Sequence, residues 1–368
     1  MDFTYDDEQL ALQEVARSAL ERECSPQLLR TLADDDTGTT TGLWSTLAEL
    51  GWTGLLVPDE YGGSGSGLLE MCIVLEQMGR IPLPGPFFSS AVAAALAARA
   101  LGATELLGDL ASGARRGTVA LGEQGHGSPL DTVRTRARRK GAQWVLTGEK
   151  PAIVDGHTAD WAVVVARSEE GVRSYLLESP STTASVALVP SLDPTRKLAR
   201  MVLDETPVLP LGPPGSQALL WRRVHDDIAV GLAAESVGAS DRALTEAIGY
   251  TSERIVFDKP VATYQSIRHR LVEMFQQVEM ARAGFQFAAW ASDAEAPERE
   301  QAAAMAASYA FEAGAWVTGE DIQMHGGVGF TWANDAHFLF KRVKQNEVLS
   351  GGAGAQLHRL ASMFIESA

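Results

Sequence analysis

The sequence predicts a mainly α protein with a β domain in its middle, on three observations. The first and last parts place apolar residues at three- and four-residue steps, the period of a helix. The middle breaks into short runs rich in Val, Leu and aromatic residues, divided by Gly, Asp, Ser and Pro. A proline- and glycine-rich stretch, LPLGPPGS (Leu209–Ser216), ends that middle run. The expected division is an N-terminal helical domain (1–117), a middle β domain (118–216) and a C-terminal helical bundle (217–368).

Between Asp6 and Glu23, Leu12, Val15, Ala16, Ala19 and Leu20 recur at helical spacing. Thr4 with Asp7 three residues on gives a capping-box-like start. The turn-rich LVPDEYGGSGSG (Leu56–Gly67) leads into an apolar helix over Leu68–Met78. IPLPGP stops it, because proline lacks an N–H and fixes φ. TVALGE, VRTRAR, WVLTGEK, DWAVVVAR, SYLLES, SVALV and RMVLDE read as strands of an antiparallel sandwich or barrel. Longer helices return from about Leu219. Ile267, Leu271, Met274, Phe275, Val278, Ala281, Phe285 and Ala288 make one apolar stripe. Such stripes, with alanine-rich faces that let helices approach closely, imply a bundle that also buries surface between subunits.

A chain of 368 residues, 45% hydrophobic, can bury a large core. Its net charge of -16 argues against nucleic acid or an anionic membrane surface as partner. The N-terminus has neither a basic segment nor a long apolar one, and the longest apolar stretch, Ala91–Leu101, contains Arg99 and is too short to cross a bilayer. A cytoplasmic protein with Cys24 and Cys72 as free thiols is expected.

Three segments could carry chemistry. In QMHGGVGFTW (Gln323–Trp332), glycines would let a backbone approach a ligand and present N–H groups to an anion; taken alone it also reads as an ordinary helix stop. In YTSERIVFDKPVATYQSIRHRL (Tyr250–Leu271), Arg254 could hold phosphate by its bidentate fork, or simply stabilise a helix C-terminus. KQNEVLSGGAGAQLHRLA (Lys344–Ala361) sets Ser350 among glycines, but no Lys-Ser/Thr follows, so it is not a P-loop. No G-x-S-x-G elbow supports a serine triad. His325 reads as packing rather than ligation, and no metal site is indicated.

Together these segments resemble the acyl-CoA dehydrogenase family over essentially the whole chain. GWTGLLVPDEYGGSGSGLLEMCIVLEQMGR (Gly51–Arg80) is similar to its N-terminal signature, and WVLTGEK and ADWAVVVAR to its middle domain. YTSERIVFDKPVATYQSI, QMHGGVGFTW and HFLFKRVK are similar to its C-terminal domain, in the family's order. The resemblance implies the family's fold: N-terminal helices, a β-barrel-like domain and a C-terminal four-helix bundle. It also implies FAD at a subunit interface. By the matching motif positions, Arg254 would contact the pyrophosphate and Phe257 the adenosine region, with Gln265, Gln323, Gly326 and Gly327 completing the ADP half.

The other half departs from the pattern. Gly122 stands where the family has a threonine that bonds the flavin, although Glu123, Gly127 and Ser128 of that motif remain. Ala152, Ile153 and Val154 replace a Trp-Ile-Thr/Ser segment, removing an aromatic wall and a hydroxyl donor. The family's catalytic glutamate falls on Ser350, whose hydroxyl is no base near neutral pH without activation. The alternative base position used by some members falls on Ile228 and Ala229. A one-residue slip would bring Asp227 forward, although Asp226 and Asp227 also read as a charged helix start.

One half-site kept and the other lost resembles the non-catalytic subunit of the heterotetrameric (α2β2) steroid side-chain acyl-CoA dehydrogenases. That resemblance implies a second, catalytic subunit as partner and no catalytic residue in this chain. It also leaves room for a bulky substrate such as a steroid-CoA. Two alternatives stay open: a homo-oligomeric dehydrogenase with a non-standard base, and a flavin-free scaffold or acyl-CoA-binding protein.

Overall fold

The computed structural model describes residues 4–123 and 129–366, so Gly127 and Ser128 lie outside the described residues. The helices of the first part are α1 (Asp7–Glu23), α2 (Pro26–Asp34), α3 (Thr41–Glu49), α4 (Leu68–Gly79), α5 (Ala95–Leu101) and α6 (Leu107–Ala111). A π-helical turn, Phe88–Ala94, runs directly into α5. Seven strands follow: β1 (Gly117–Ala120), β2 (Arg136–Lys140), β3 (Gln143–Val154), β4 (Trp161–Ser168), β5 (Gly171–Glu178), β6 (Ser185–Val189) and β7 (Leu198–Leu211), with the short α7 (Pro180–Thr183) before β6. The last part holds α8 (Ala218–Glu253), α9 (Gln265–Asp293), α10 (Arg299–His325), α11 (Ala336–Leu349) and α12 (Ala353–Glu366). A two-stranded hairpin, β8 (Ile255–Val256) and β9 (Lys259–Pro260), separates α8 from α9. This is the predicted mainly α architecture with a β middle.

Packing groups the chain into two compact units. One comprises the chain up to Leu29, Leu68–Leu83 and everything from Ala229; the other comprises Arg30–Gly67 and Pro84–Ile228.

In the second unit the seven predicted strands all form. They pair in the order β4-β2-β3-β7-β5, and β5 returns to β4, closing a ring. An antiparallel sheet was expected, but β1 runs parallel to β4 and β2 touches β4 in parallel at Arg136 and Arg167. The β2–β3 hairpin lies between β1 and β4 in sequence and acts as the crossover that a parallel pair requires. Leu146, Ile153, Val164, Tyr175, Leu177 and Met201 fill the interior.

In the first unit, α1 is capped two residues later than Thr4 and Asp7 predicted. Asp6 is the N-cap: its carboxylate accepts from Gln9 N at 2.8 Å and Gln9 Oε1 accepts from Asp6 N at 3.2 Å. Helices α4 and α8 cross at backbone contact, since a Cβ on Gly79 would fall 1.9 Å from Glu235 O and one on Gly238 1.8 Å from Glu76 O. The α9 stripe buries Met274, Val278, Ala281, Phe285 and Ala288, but Phe275 stands 54% exposed, one residue off that face. Arg342 on α11 is wholly buried. It donates to Glu235 Oε1 at 2.6 Å and to the carbonyls of Pro82 and Leu83, and Asn346 donates to Glu235 Oε2 at 2.9 Å. That knot ties α11 to α8 and to the chain leaving α4. Cys24 and Cys72 are free and buried. Among the described residues no helix is long and apolar enough to cross a membrane.

Candidate functional site

The first unit carries a cleft of about 540 Å³ between the end of α8, the β8–β9 hairpin and the turn after α10. Tyr250, Arg254, Val256, His325, Gly326 and Gly327 line it. Three of the six residues expected at the ADP half, Arg254, Gly326 and Gly327, are therefore brought together. Arg254 is exposed just past the last residue of α8, and its guanidinium has no hydrogen-bond or ion-pair partner among the described residues. An arginine fork held without a carboxylate partner suits an anion from outside.

The glycine turn suits the same purpose. Gly326 adopts φ 62° and ψ -139°, a conformation that favours glycine. A Cβ on Gly326 or on Gly327 would meet nothing within 4 Å, so both backbones face open space. Gly329 is glycine for a structural reason, because its Cβ would lie 2.5 Å from Ile322 O.

The other three expected residues border the cleft without lining it. Phe257 sits at the tip of the β8–β9 hairpin, 87% exposed, where it and Asp258 both take left-handed conformations (φ 50° and 62°). Such a turn favours Asn-Gly, and left-handed backbone costs a non-glycine residue about 1–2 kcal/mol. Strain of this kind projects an aromatic ring into solvent, where it is available for contact. Gln265 is the first residue of α9 and Gln323 lies two residues before the end of α10; both are exposed.

The expected catalytic position is a helix stop. Ser350 caps α11, and the N–H of Gly351 and of Gly352 return to Val348 O (3.1 Å) and Glu347 O (2.8 Å), the paired bonds of a Schellman motif. Gly351 and Gly352 supply φ of 93° and 95°. Ser350 is 1% exposed, and its hydroxyl donates to Glu347 O at 2.8 Å. A hydroxyl spent on a backbone carbonyl has no base to activate it. Ser350→Ala is expected to leave turnover of any active preparation unchanged and to cost about 1 kcal/mol of stability. A fall in kcat of ~10²-fold or more would mark Ser350 as a catalytic group.

Asp226 and Asp227 do not start a helix, contrary to that expectation. α8 begins at Ala218, so both lie in its third turn, Asp226 buried and Asp227 half-buried next to Ile228. The helix instead starts within one residue of Leu219, where the apolar period placed its return.

The positions expected to face a flavin ring lie in the second unit and do not suit one. Glu123 is consumed by structure: its carboxylate accepts from Lys150 Nζ at 2.8 Å and from the amides of Arg134 (2.7 Å) and Thr135 (2.9 Å). Burial opposes its ionisation, but Lys150 and these bonds hold it below the usual carboxylate range. Burial in turn pulls the Lys150 ammonium down to about 8 against the attraction of Glu123. Ile153 points into the β core at 2% exposure, Ala152 is exposed, and the Val154 carbonyl is taken by Thr118 Oγ1 at 2.7 Å. Gly122, Ala152 and Val154 provide neither a hydroxyl nor an aromatic wall. The residues present thus fit the pyrophosphate end of FAD and do not fit its ring.

Sequence reasoning missed the polar support beneath the glycine turn. Asp321 is wholly buried on α10, and its Oδ1 lies 3.1 Å from His325 Nδ1. The signal was present as an acid and a histidine four residues apart on a helix.

Comparison with known proteins covers nearly all of the chain. It matches the models described as acyl-CoA dehydrogenase N-terminal domain over residues 6–107, middle domain over 118–207 and C-terminal domain over 227–364. It is 30% identical over 364 residues to the acyl-CoA dehydrogenase IpdE2 of Mycobacterium tuberculosis, covering 98% of each. Among solved structures it is similar to the ChsE4-ChsE5 complex from Mycobacterium tuberculosis, with 27% identity, TM-score 0.88 and coverage of 100% and 99%. It is also similar to a variant of the Tcur3481-Tcur3483 steroid ACAD, with 28% identity, TM-score 0.89 and coverage of 98% of each.

Proposed function

Because this chain belongs to the acyl-CoA dehydrogenase family, we propose that it is the non-catalytic subunit of a two-chain, α2β2 dehydrogenase. In chain order we read its domains as 1–117, 118–216 and 217–368. It would supply the ADP half of a shared FAD site, while its partner supplies the flavin pocket, the base and the acyl-CoA site. The observation that carries this reading is the contrast between two places in one unit. The Arg254 guanidinium stands without a partner among the described residues beside the open glycine turn, and the Ser350 hydroxyl is locked into a helix stop.

FAD, when bound, accepts a hydride from the acyl β-carbon. This chain's residues would do something simpler. The Arg254 fork and the turn amides at Gly326 and Gly327 would take pyrophosphate oxygens, Phe257 would cover the adenosine region, and Gln265 and Gln323 would complete the rim. None of them moves a proton. The two similar structures above each pair two named chains, and one is called a steroid ACAD, so a bulky acyl-CoA such as a steroid thioester is the substrate class we favour.

Co-expression with a family member that carries the glutamate tests the proposal. The expected complex holds one FAD per pair of unlike chains and reduces a dye acceptor with acyl-CoA. In that complex Arg254→Ala should weaken FAD retention roughly 10–100-fold, the effect of losing charge-assisted hydrogen bonds, without lowering the unfolding midpoint of the flavin-free chain. Full flavin and activity in the chain alone would support a homo-oligomeric enzyme instead. No flavin in either preparation would support a scaffold.

A further inference from the structure

His325, the last residue of α10, has no part in the reading above, yet it lines the same cleft as Arg254. Its Nδ1 lies 2.9 Å from the Asp321 carbonyl and 3.1 Å from the Asp321 carboxylate. Both neighbours are acceptors, so Nδ1 carries a proton and donates. Nε2 has no hydrogen-bond partner among the described residues and is not among the buried polar atoms. The Tyr250 ring packs on the imidazole with centroids 4.5 Å apart, which fixes its plane. Asp321 is wholly buried, a costly place for a carboxylate unless a cation faces it.

The charged and titratable groups around the imidazole favour its cation. Asp321 faces it from its own helix, Glu246 and Tyr250 from α8, and Arg254 from the turn after α8; Glu246 is itself paired to Arg242 at 2.7 Å. The hydrogen bond and charge of Asp321, with Glu246 behind it, hold the imidazole above its ordinary range against the effect of burial. The end of a helix acts in the same direction.

We propose that His325, positioned by Asp321, is a second phosphate-binding residue of this cleft, donating from Nε2 so that imidazolium and guanidinium together meet a dinucleotide's pyrophosphate. The proposal rests on the half-site reading. A pyrophosphate diester is doubly charged, and Arg254 alone would leave it half-matched. The imidazole is a cation below its raised pKa, so the grip is full on the acid side and weakens as pH rises through that pKa.

Calorimetric titration of the full chain with ADP-ribose tests this, with adenosine as control. The pyrophosphate of ADP-ribose is a diester, so its charge stays constant across the pH range. Affinity for ADP-ribose should fall as pH rises while affinity for adenosine stays flat. His325→Gln should weaken ADP-ribose binding roughly tenfold on the acid side and remove the pH dependence. Asp321→Asn should move the fall to lower pH. If Arg254→Ala weakens binding but His325→Gln changes neither affinity nor profile, the role of His325 is overturned and the half-site stands. If ADP-ribose does not bind, or Arg254→Ala has no effect either, both fall. Should His325→Gln fail to fold by circular dichroism, the isosteric Asp321→Asn decides, and an unchanged profile there overturns the inference.

Discussion

Purified without a partner and saturated with FAD, this chain is expected to oxidise acyl-CoA at least ~10²-fold more slowly than the two-chain complex. A positioned general base contributes about 10²–10⁴-fold, which is roughly 3–5.5 kcal/mol of barrier. Among the described residues, the positions expected to carry a base do not offer one ready for that role. The Ser350 hydroxyl is tied to Glu347 O, Ile228 cannot ionise, and Asp227 sits half-buried in the third turn of α8. Added FAD separates missing chemistry from missing cofactor, and dye reduction at matched flavin is the measurement. Comparable rates in the two preparations would return proton abstraction to this chain, and Asp227→Asn would then be the variant to make.

Arg342→Ala is expected to cost about 3–5 kcal/mol of stability, seen as a fall in the unfolding midpoint. The substitution takes the guanidinium away from the Glu235 carboxylate, which is 2% exposed and also accepts from Asn346. It also removes the donor from the Pro82 and Leu83 carbonyls. Removing both charges together, as Glu235→Gln with Arg342→Met, should recover part of the loss, because a neutral pair avoids the desolvation of an unpaired ion. A fall of less than about 1 kcal/mol for Arg342→Ala would place this pair with ordinary surface ion pairs.

Much of the fold was legible because it rests on period. The seven β runs and the helices Leu68–Gly79 and Gln265–Asp293 repeat their apolar residues at two- or three-to-four-residue steps, and packing respects that. What escaped depended on individual bonds. The first helix is capped by Asp6 and not by Thr4 because Gln9 completes a reciprocal cap that Asp7 does not. The parallel pairing of β1 with β4 is a property of topology and leaves no mark on either strand's sequence. At the site, Arg254, Gly326 and Gly327 were found through motif and do share a cleft. The Arg254 guanidinium left without a partner among the described residues, the left-handed backbone of Phe257 and the Asp321–His325 contact are three-dimensional facts that residue order does not state.

The stop at the end of α11 has a consequence for descent. Ser350 occupies a closed space with room for a hydroxyl, between a returning carbonyl and the Gln356 amide that donates to its own carbonyl at 2.9 Å. Reverting that codon to glutamate would press an extra carboxylate into a volume that excludes water, where an unpaired ion costs several kcal/mol. On the two-chain reading proposed above, a single substitution here would therefore not restore a usable base, and this chain and a competent companion would be inherited, expressed and lost together.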